Sequence, residues 1–87
     1  MKGQLIKNYI NKLTKQDINS LAIQHNVNLT DQELNYLYNQ IKNHYNDLLY
    51  GDTEYLFNDL KKNVTDNNYF KIKELYTTYK NKFQSLL

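Results

Sequence analysis

Two threonine-to-acid signals in the first half of the chain determine where helices can begin. Thr14 stands three residues before Asp17, and Thr30 stands three residues before Glu33. A threonine at a helix N-cap accepts a hydrogen bond from a first-turn amide, and an acid three residues later accepts one from the amide of the cap itself. Both acids also bring negative charge to the positive end of a helix dipole. The sequence therefore predicts two helices that begin directly after these threonines.

Apolar residues recur at the spacing of an α-helix in two longer stretches. From Leu34 to Leu48, and again from Tyr69 to Leu86, they step by three or four residues, as in a helix with one buried face. Asn26 tolerates the left-handed conformation that ends many helices, and Gly51 is of the residue type favoured just beyond a helix. The predicted helices span residues 3–12, 15–25, 31–49, a shorter segment that begins after Asp52 or Thr53, and a last one that begins after Thr65 or Asp66.

These boundaries predict an all-α fold, a compact bundle of about five short-to-medium helices in a single domain over residues 1–87. A chain of 87 residues needs its apolar side chains for one core, which leaves little for an internal ligand cavity. A short extended link is expected to bury Val27 and Leu29. The helical residues expected to face the core are Leu5, Ile6, Tyr9, Ile10, Ile18, Leu21, Ala22, Leu34, Leu37, Tyr38, Ile41, Tyr45, Leu48, Leu49, Leu56, Phe57, Leu60, Tyr69, Ile72, Leu75, Tyr76, Tyr79, Phe83 and Leu86.

The composition excludes several classes of protein. The absence of cysteine excludes disulfides, thiolate zinc sites and cysteine catalysis. No stretch approaches the roughly 18 continuous apolar residues of a membrane span, and residues 1–8 lack the apolar region of a signal peptide. We therefore expect a cytoplasmic protein with no role in a membrane. The net charge of +2 is small beside that of many nucleic-acid-binding domains.

The residue types that carry catalysis or bind metals are scattered. Neither His25 nor His44 has a partner at metal-ligand spacing. Ser20 and Ser85 lie in predicted helices, without the sharp strand-to-helix turn or nearby histidine of a serine nucleophile. Neither glycine belongs to a phosphate-binding loop. The sequence therefore predicts no enzymatic activity, no metal and no cofactor.

Lysines flank the apolar stripe of the fifth predicted helix. Lys71 and Lys82 project near one edge of the stripe, and Lys73 and Lys80 near the other. Lysine stems at such positions cover the rim of a core while the ammonium stays in water. The same layout suits a partner helix that carries acids, so these lysines are candidate contacts for a partner.

Some large apolar residues fall outside the predicted inward faces. They are Ile23, Tyr36, Tyr55 and Phe70, and the three aromatic ones are candidate partner contacts because tyrosine and phenylalanine are enriched in protein interfaces. The leading hypothesis is a non-enzymatic protein-interaction module that works through a face of the third or fifth helix. The partner is unknown, and a second copy of the chain is one alternative.

A second hypothesis rests on the order of elements between residues 14 and 45. A capped helix, an extended piece and another capped helix follow one another, which resembles the helix–extension–helix modules, including the SAP type, that bind nucleic acid. Lys12, Lys15 and His25 are the candidate contacts to phosphate. So few basic groups predict weak binding with a shallow salt dependence.

A closer resemblance extends from about residue 13 to residue 79. The features that carry it are Leu21-Ala22, the link Asn26–Thr30, the long third helix, Phe57-Asn58 before Leu60, and the turn Val64-Thr65-Asp66. These features resemble a small family of uncharacterised proteins from low-GC Gram-positive bacteria, the domain-of-unknown-function family 2624. The small residue that the family has after the second cap is Leu34 here. The resemblance implies a helical fold and a bacterial cytoplasmic setting, and it implies no activity or site residues.

Overall fold

Five α-helices make up most of residues 2–86, the part of the chain that the structure, a computed structural model, describes; side chains are described for residues 4–82. The helices are α1 (Lys2–Lys12), α2 (Lys15–Gln24), α3 (Asp31–Tyr50), α4 (Glu54–Asn63) and α5 (Asp66–Leu86). No strand occurs between residues 2 and 86. The all-α class and the five-helix bundle are therefore confirmed.

Both predicted helix starts form complete capping boxes. Thr14 Oγ1 accepts a hydrogen bond from the Asp17 amide at 3.1 Å, and Asp17 Oδ2 accepts one from the Thr14 amide at 3.0 Å. Thr30 and Glu33 repeat the arrangement with the same two distances. Each box satisfies first-turn amides that have no partner within the helix. α2 and α3 therefore begin where the sequence predicts.

The end of α2 is a left-handed cap. Asn26 has a φ of 62°, as predicted. Its amide donates to the Ile23 carbonyl at 3.1 Å, and the Val27 amide donates to the Ala22 carbonyl at 2.8 Å. This is the Schellman pattern, in which the residue after the left-handed one packs back on the helix. Val27 and Ala22 are both buried in one cluster, so the cap also begins the core.

α3 lies at the centre, and each of the other four helices packs on it. α1 runs antiparallel to α3, because Lys42 Nζ donates to the Ile10 carbonyl at 2.6 Å while Ile6 packs beside Leu49. α5 runs parallel to α3, because Asn68 meets Glu33 and, eight residues on, Tyr76 meets Gln40. α4 is the antiparallel return between them.

The buried apolar residues form two clusters. The larger one lies where α2, α4 and α5 pack on α3, and the smaller one joins α1 to the C-terminal part of α3. The larger cluster contains Ile18, Ala22, Val27, Leu37, Leu60 and Ile72, and the smaller one contains Ile6, Ile10 and Leu49. Of the predicted inward residues, Phe83 and Leu86 lie outside the described side chains.

The predicted buried face of α1 is too wide. Ile6 and Ile10 are buried, but Leu5 is 69% exposed and Tyr9 is 52% exposed. The physical reason is that α1 makes its main packing contact with one helix, α3. A helix with one neighbour buries a narrower stripe than a helix enclosed on several sides.

The predicted stripe of α3 is displaced. Leu37 and Leu49 are buried as predicted, and Glu33 and Gln40 are buried as well. Other residues of the predicted stripe, such as Tyr38 and Ile41, are half-buried. His44 has non-helical dihedral angles (φ −129°, ψ 19°), so α3 consists of two segments joined at a kink. Helices pack around the first segment on several sides, which buries polar as well as apolar positions.

Tyr36, predicted to project into solvent, is half-buried. α4 packs against this side of α3, and the Tyr36 hydroxyl donates to Asp59 Oδ2 of α4 at 2.6 Å. The prediction that the Tyr36 side chain projects away from the core is therefore wrong. The amphipathic pattern of α3 alone cannot show that α4 packs against this second side of the helix.

Gly51 ends α3 as predicted, but not through a left-handed conformation. Its φ of −108° and ψ of −157° are extended. A Cβ at this position would stand 3.1 Å from Asp47 Cα and 2.8 Å from Asp47 Oδ1. The close approach of the backbone to the last turn of α3, and not a positive φ, therefore favours glycine here.

Candidate interaction groove

An apolar groove runs along α3 from Leu37 to Leu49, with α1 and α2 on one side and α5 on the other. It encloses a cavity of about 210 Å³. Asp17 and Lys80 supply its two charged side chains, and the other lining residues are Tyr9, Ile10, Leu13, Ile18, Leu21, Ala22, Val27, Leu29, Leu37, Ile41, Tyr45, Leu48, Leu49, Ile72, Leu75, Tyr76 and Tyr79. We call this feature the apolar groove.

The apolar groove lies between the two core clusters. Ile10 of the smaller cluster lines it, and so do Ile18 and Ile72 of the larger one. The kink at His44 falls in the α3 segment that forms the floor. The groove is the space between the helices that pack on these two segments. Leu37 and Leu49 at the ends of its floor are buried, and Ile41, Tyr45 and Leu48 between them are half-buried.

Exposed apolar side chains extend the apolar groove at its edge. Tyr9 lines the groove and is half exposed, and Leu5 lies one turn before it on the same side of α1. The apolar surface of the groove therefore continues onto the exposed side of α1.

A second cavity adjoins the apolar groove at the junction of α1 and α2. Its volume is about 350 Å³. It shares Tyr9, Leu13, Asp17 and Leu21 with the groove, and its remaining lining residues are Lys12, Ser20 and Gln24. The two cavities are therefore neighbours that share one wall, and charged and polar side chains reach the second one from α1 and α2.

Basic groups dominate the rim of the apolar groove. Lys80 is half-buried and lines it, and Lys82 places its Nζ 5.7 Å from the centre of the Tyr79 ring, which also lines it. Lys12 lines the adjoining cavity. The carboxylate of Asp17 already accepts the hydrogen bond of the Thr14 amide at 3.0 Å. With Lys12, Lys80 and Lys82 against Asp17, the charge around the groove is positive overall.

The four lysines predicted to flank α5 have different surroundings. Lys71 Nζ donates to the Asn26 carbonyl at 2.9 Å, so it ties α5 to the link after α2. Lys73 Nζ lies 5.4 Å from the centre of the Phe57 ring and 6.0 Å from that of Tyr69. Lys71 and Lys73 therefore cover the rim of the core, whereas Lys80 and Lys82 lie at the apolar groove.

The exposed aromatic residues predicted as partner contacts do not meet. Tyr55, on the first turn of α4, donates a hydrogen bond to Asp47 and packs edge-on against His44, with ring centres 6.3 Å apart. The hydrogen bond to Asp47 raises the pKa of Tyr55. Phe70 lies near the start of α5, against the ring of Tyr69. The 10 residues of α4, about 15 Å of helix, separate the two places.

The predicted contacts to nucleic acid are also dispersed. Lys15 and His25 flank the two ends of α2, a helix of 10 residues and about 15 Å. Lys15 Nζ lies 5.6 Å from the centre of the Tyr38 ring, whereas Lys12 faces the cavity between α1 and α2. Lys15 and His25 therefore lie at opposite ends of α2, and Lys12 lies at the end of α1.

Three polar residues that connect the helices around α3 are buried: Glu33, Gln40 and Asn68. The sequence did not predict the burial of any of them. Glu33 accepts hydrogen bonds from the amides of Thr30 and Thr65, both at 3.0 Å, and from Asn68 Nδ2 at 3.2 Å. Burial by itself raises the pKa of Glu33, but these hydrogen bonds outweigh it and hold the pKa below its ordinary value. The capping signal Thr30–Glu33 was visible in the sequence, but its contact with α5 was not.

Gln40 forms the centre of the second polar network. Its Nε2 donates to the Leu56 carbonyl at 3.1 Å and to the Tyr36 hydroxyl at 2.7 Å, and its Oε1 accepts from the Tyr76 hydroxyl at 2.8 Å. Burial, together with Asp59, raises the pKa of Tyr36, and burial raises that of Tyr76. These hydroxyls stay protonated as donors, so the network is structural.

The described residues offer little that would hold a metal or a polar ligand. Within residues 4–82, no group of three or more histidines and acids is placed to bind a metal ion. In the same range every buried polar side-chain atom has a hydrogen-bond partner. None of the helices, over the part of the chain that is described, is long and apolar enough to cross a membrane.

No protein-family model, no curated protein sequence and no solved structure matches this chain. The resemblance to domain-of-unknown-function family 2624 and to the helix–extension–helix modules therefore stays a prediction from the sequence.

Proposed function

We propose that this chain is a non-enzymatic protein-interaction module and that its apolar groove receives apolar side chains of a partner protein. The observation that supports the proposal is the groove itself, which lies on α3 and α5, the two helices whose faces the sequence nominates. The exposed side chains of Leu5 and Tyr9 widen the apolar surface at its edge. We also propose the predicted cytoplasmic setting for this module.

The dimensions of the groove favour a protein segment over a small molecule. Its cavity of about 210 Å³ is smaller than the roughly 300–1,000 Å³ of pockets that enclose drug-sized ligands. Its lining extends along α3 from Leu37 to Leu49, about 18 Å of helix, so the groove is elongated. An amphipathic helix fits such a groove by inserting side chains spaced three, four and seven residues apart.

The polar groups of the molecule give a small ligand little to recognise. In the described residues the buried polar side-chain atoms already have partners within the fold. A pocket that selects a small molecule normally presents a few unpaired polar groups that fix its orientation. Nucleic-acid binding through residues 14–45 has no specific contact in its favour, because Lys12, Lys15 and His25 are dispersed.

Site-specific photocrosslinking tests the proposal in the cells that make the chain. A benzophenone amino acid at Tyr79, which lines the groove, is compared with the same group at Tyr50, which is exposed but does not line it. We expect a protein adduct from position 79 that disappears when Leu48→Asp places a charge in the groove. Equal adducts from both positions, or none from position 79, would contradict the proposal.

A further inference from the structure

We infer that the segment bound in the apolar groove is an amphipathic helix of another protein, with acidic side chains along both edges of its apolar face. The inference rests on the proposed function of the groove and specifies its partner. Two observations support it: the charges around the groove, and the charges that a second copy of this chain would bring to it.

The first observation is that lysines outnumber acids around the groove. Lys80 lines the groove and Lys12 lines the adjoining cavity, and within residues 4–82 neither ammonium group has a hydrogen bond or an ion pair. Lys82 keeps its charge beside the groove by lying over Tyr79. Asp17 is the one acid in the two linings. An incoming helix therefore meets Lys12 on the α1 side and Lys80 on the α5 side.

The second observation is that α1 and α5 of a second copy do not supply the complementary face. α1, whose Leu5 and Tyr9 are the exposed apolar side chains nearest the groove, contains lysines and no acid. The apolar stripe of α5 is flanked by lysines on both edges. A second copy that docked either helix would therefore place lysine opposite lysine, which like-charge repulsion disfavours. The charges of these two helices favour a different chain as the partner.

An acidic edge also makes the interaction directional. Apolar anchors alone would let a helix enter the groove in several registers, whereas carboxylates opposite Lys12 on one side and Lys80 on the other fix its position. Charge pairs of this kind at a rim raise association rates and select partners more than they raise affinity. Added salt therefore weakens the binding of the acidic helix, because it screens exposed pairs.

Two synthetic helical peptides with one apolar face test the inference on the full chain. One carries glutamates along both edges of the face, and the other carries lysines at the same positions. Fluorescence anisotropy gives the affinity of each for the wild-type protein at low and high salt. We expect the glutamate peptide to bind, to bind more weakly at high salt, and the lysine peptide not to bind.

A charge-reversal pair tests the rim directly. In Lys12→Glu/Lys80→Glu the glutamate peptide should bind about tenfold more weakly, because two weak attractions become two repulsions, and the lysine peptide should now bind better than the glutamate peptide. The matched control is Lys61→Glu/Lys62→Glu, which reverses two exposed charges at the end of α4 and should leave both affinities unchanged. Circular dichroism checks that each variant is folded, and the salt dependence of the wild type tests the rim without any substitution.

Several outcomes would overturn the inference. Equal binding of the two peptides would show a groove that selects apolar side chains alone, and the proposed function would then stand without the acidic partner. Binding of neither peptide would reject the acidic helix, while the crosslinking from position 79 decides the proposed function independently. A dimer in sedimentation equilibrium that Leu48→Asp dissociates would make a second copy the occupant, and binding to anionic lipid vesicles that Lys80→Glu abolishes would make it a membrane surface.

Discussion

The carboxylate of Glu33 accepts hydrogen bonds from the backbone amides of Thr30 and Thr65. These two amides are 35 positions apart in the chain. Glu33 thereby holds the start of α3 next to the start of α5. Asn68 adds a hydrogen bond from the first turn of α5 and also donates to the Asn28 carbonyl at 2.9 Å. A buried carboxylate with this many donors is stabilised as the anion.

We expect Glu33→Gln to lower the free energy of unfolding by about 1–3 kcal/mol near neutral pH, because amide donors lose a charged acceptor and the glutamine NH₂ faces other donors. The control Glu74→Gln, on the exposed side of α5, should change it by less than about 0.5 kcal/mol. Urea denaturation measures both. If Glu33→Gln lowers the free energy of unfolding no more than Glu74→Gln does, the hydrogen bonds of Glu33 to the Thr30 and Thr65 amides add nothing to stability.

The same carboxylate makes stability depend on pH. Its pKa is lowered in the folded state, so its contribution is complete above the ordinary value of 4.5 and is lost as the pH falls from there through the lower folded pKa. The difference in unfolding free energy between wild type and Glu33→Gln should therefore be constant at neutral pH and shrink below about pH 4.5. A difference that grows on acidification would contradict this assignment.

At the scale of the helices, the sequence predicts the features that depend on neighbours in the chain. The two capping boxes and the left-handed Asn26 are local arrangements, and each is where its residues indicate. Gln40 and Asn68 are buried by helices that are distant from them in the sequence, and no local sequence signal predicts this burial. The groove was not predicted for the same reason, since it depends on where α1 and α5 lie relative to a kink in α3.

Paired truncations test which apolar positions each helix buries. Leu60 of α4 is fully buried, and Leu60→Ala should lower the free energy of unfolding by about 2–5 kcal/mol through lost contacts and a cavity. Leu5→Ala removes the same atoms from the exposed side of α1 and should cost less than about 0.5 kcal/mol. Chemical denaturation of the two variants makes the comparison. If both variants lower the free energy of unfolding equally, Leu5 is buried and the wider buried face that the sequence predicts for α1 is correct.

At the scale of the whole molecule, the two core clusters differ in size. The smaller one holds α1 through Ile6, Ile10 and Leu49, supported by Lys42, whose Nζ donates to the Ile10 and Asn11 carbonyls at 2.6 and 2.9 Å. The larger one includes side chains from α2 to α5. Local opening requires least free energy where few buried contacts must be broken, so α1 is expected to open before the rest of the bundle.

Native-state hydrogen exchange measures that order. Amides of α1 should exchange faster than those of α3 around Leu37, and Lys42→Met should accelerate exchange in α1 while leaving α4 unchanged, because it removes the donors to the last carbonyls of α1. Lys61→Met, on the exposed end of α4, is the matched control. If the amides of α1 exchange only through global unfolding, at the same rate as those around Leu37, the two clusters form one cooperative unit.

The central position of α3 has a consequence for how the chain is synthesised. α1 and α2 leave the ribosome before α3, but the surface on which both pack belongs to residues 31–50 of α3. Until then their apolar sides have no partner within the chain, and exposed apolar surface of this kind is what chaperones recognise and what aggregates. Once α3 emerges, the two waiting helices acquire their packing surface together, and α4 and α5 then add to a scaffold that already exists.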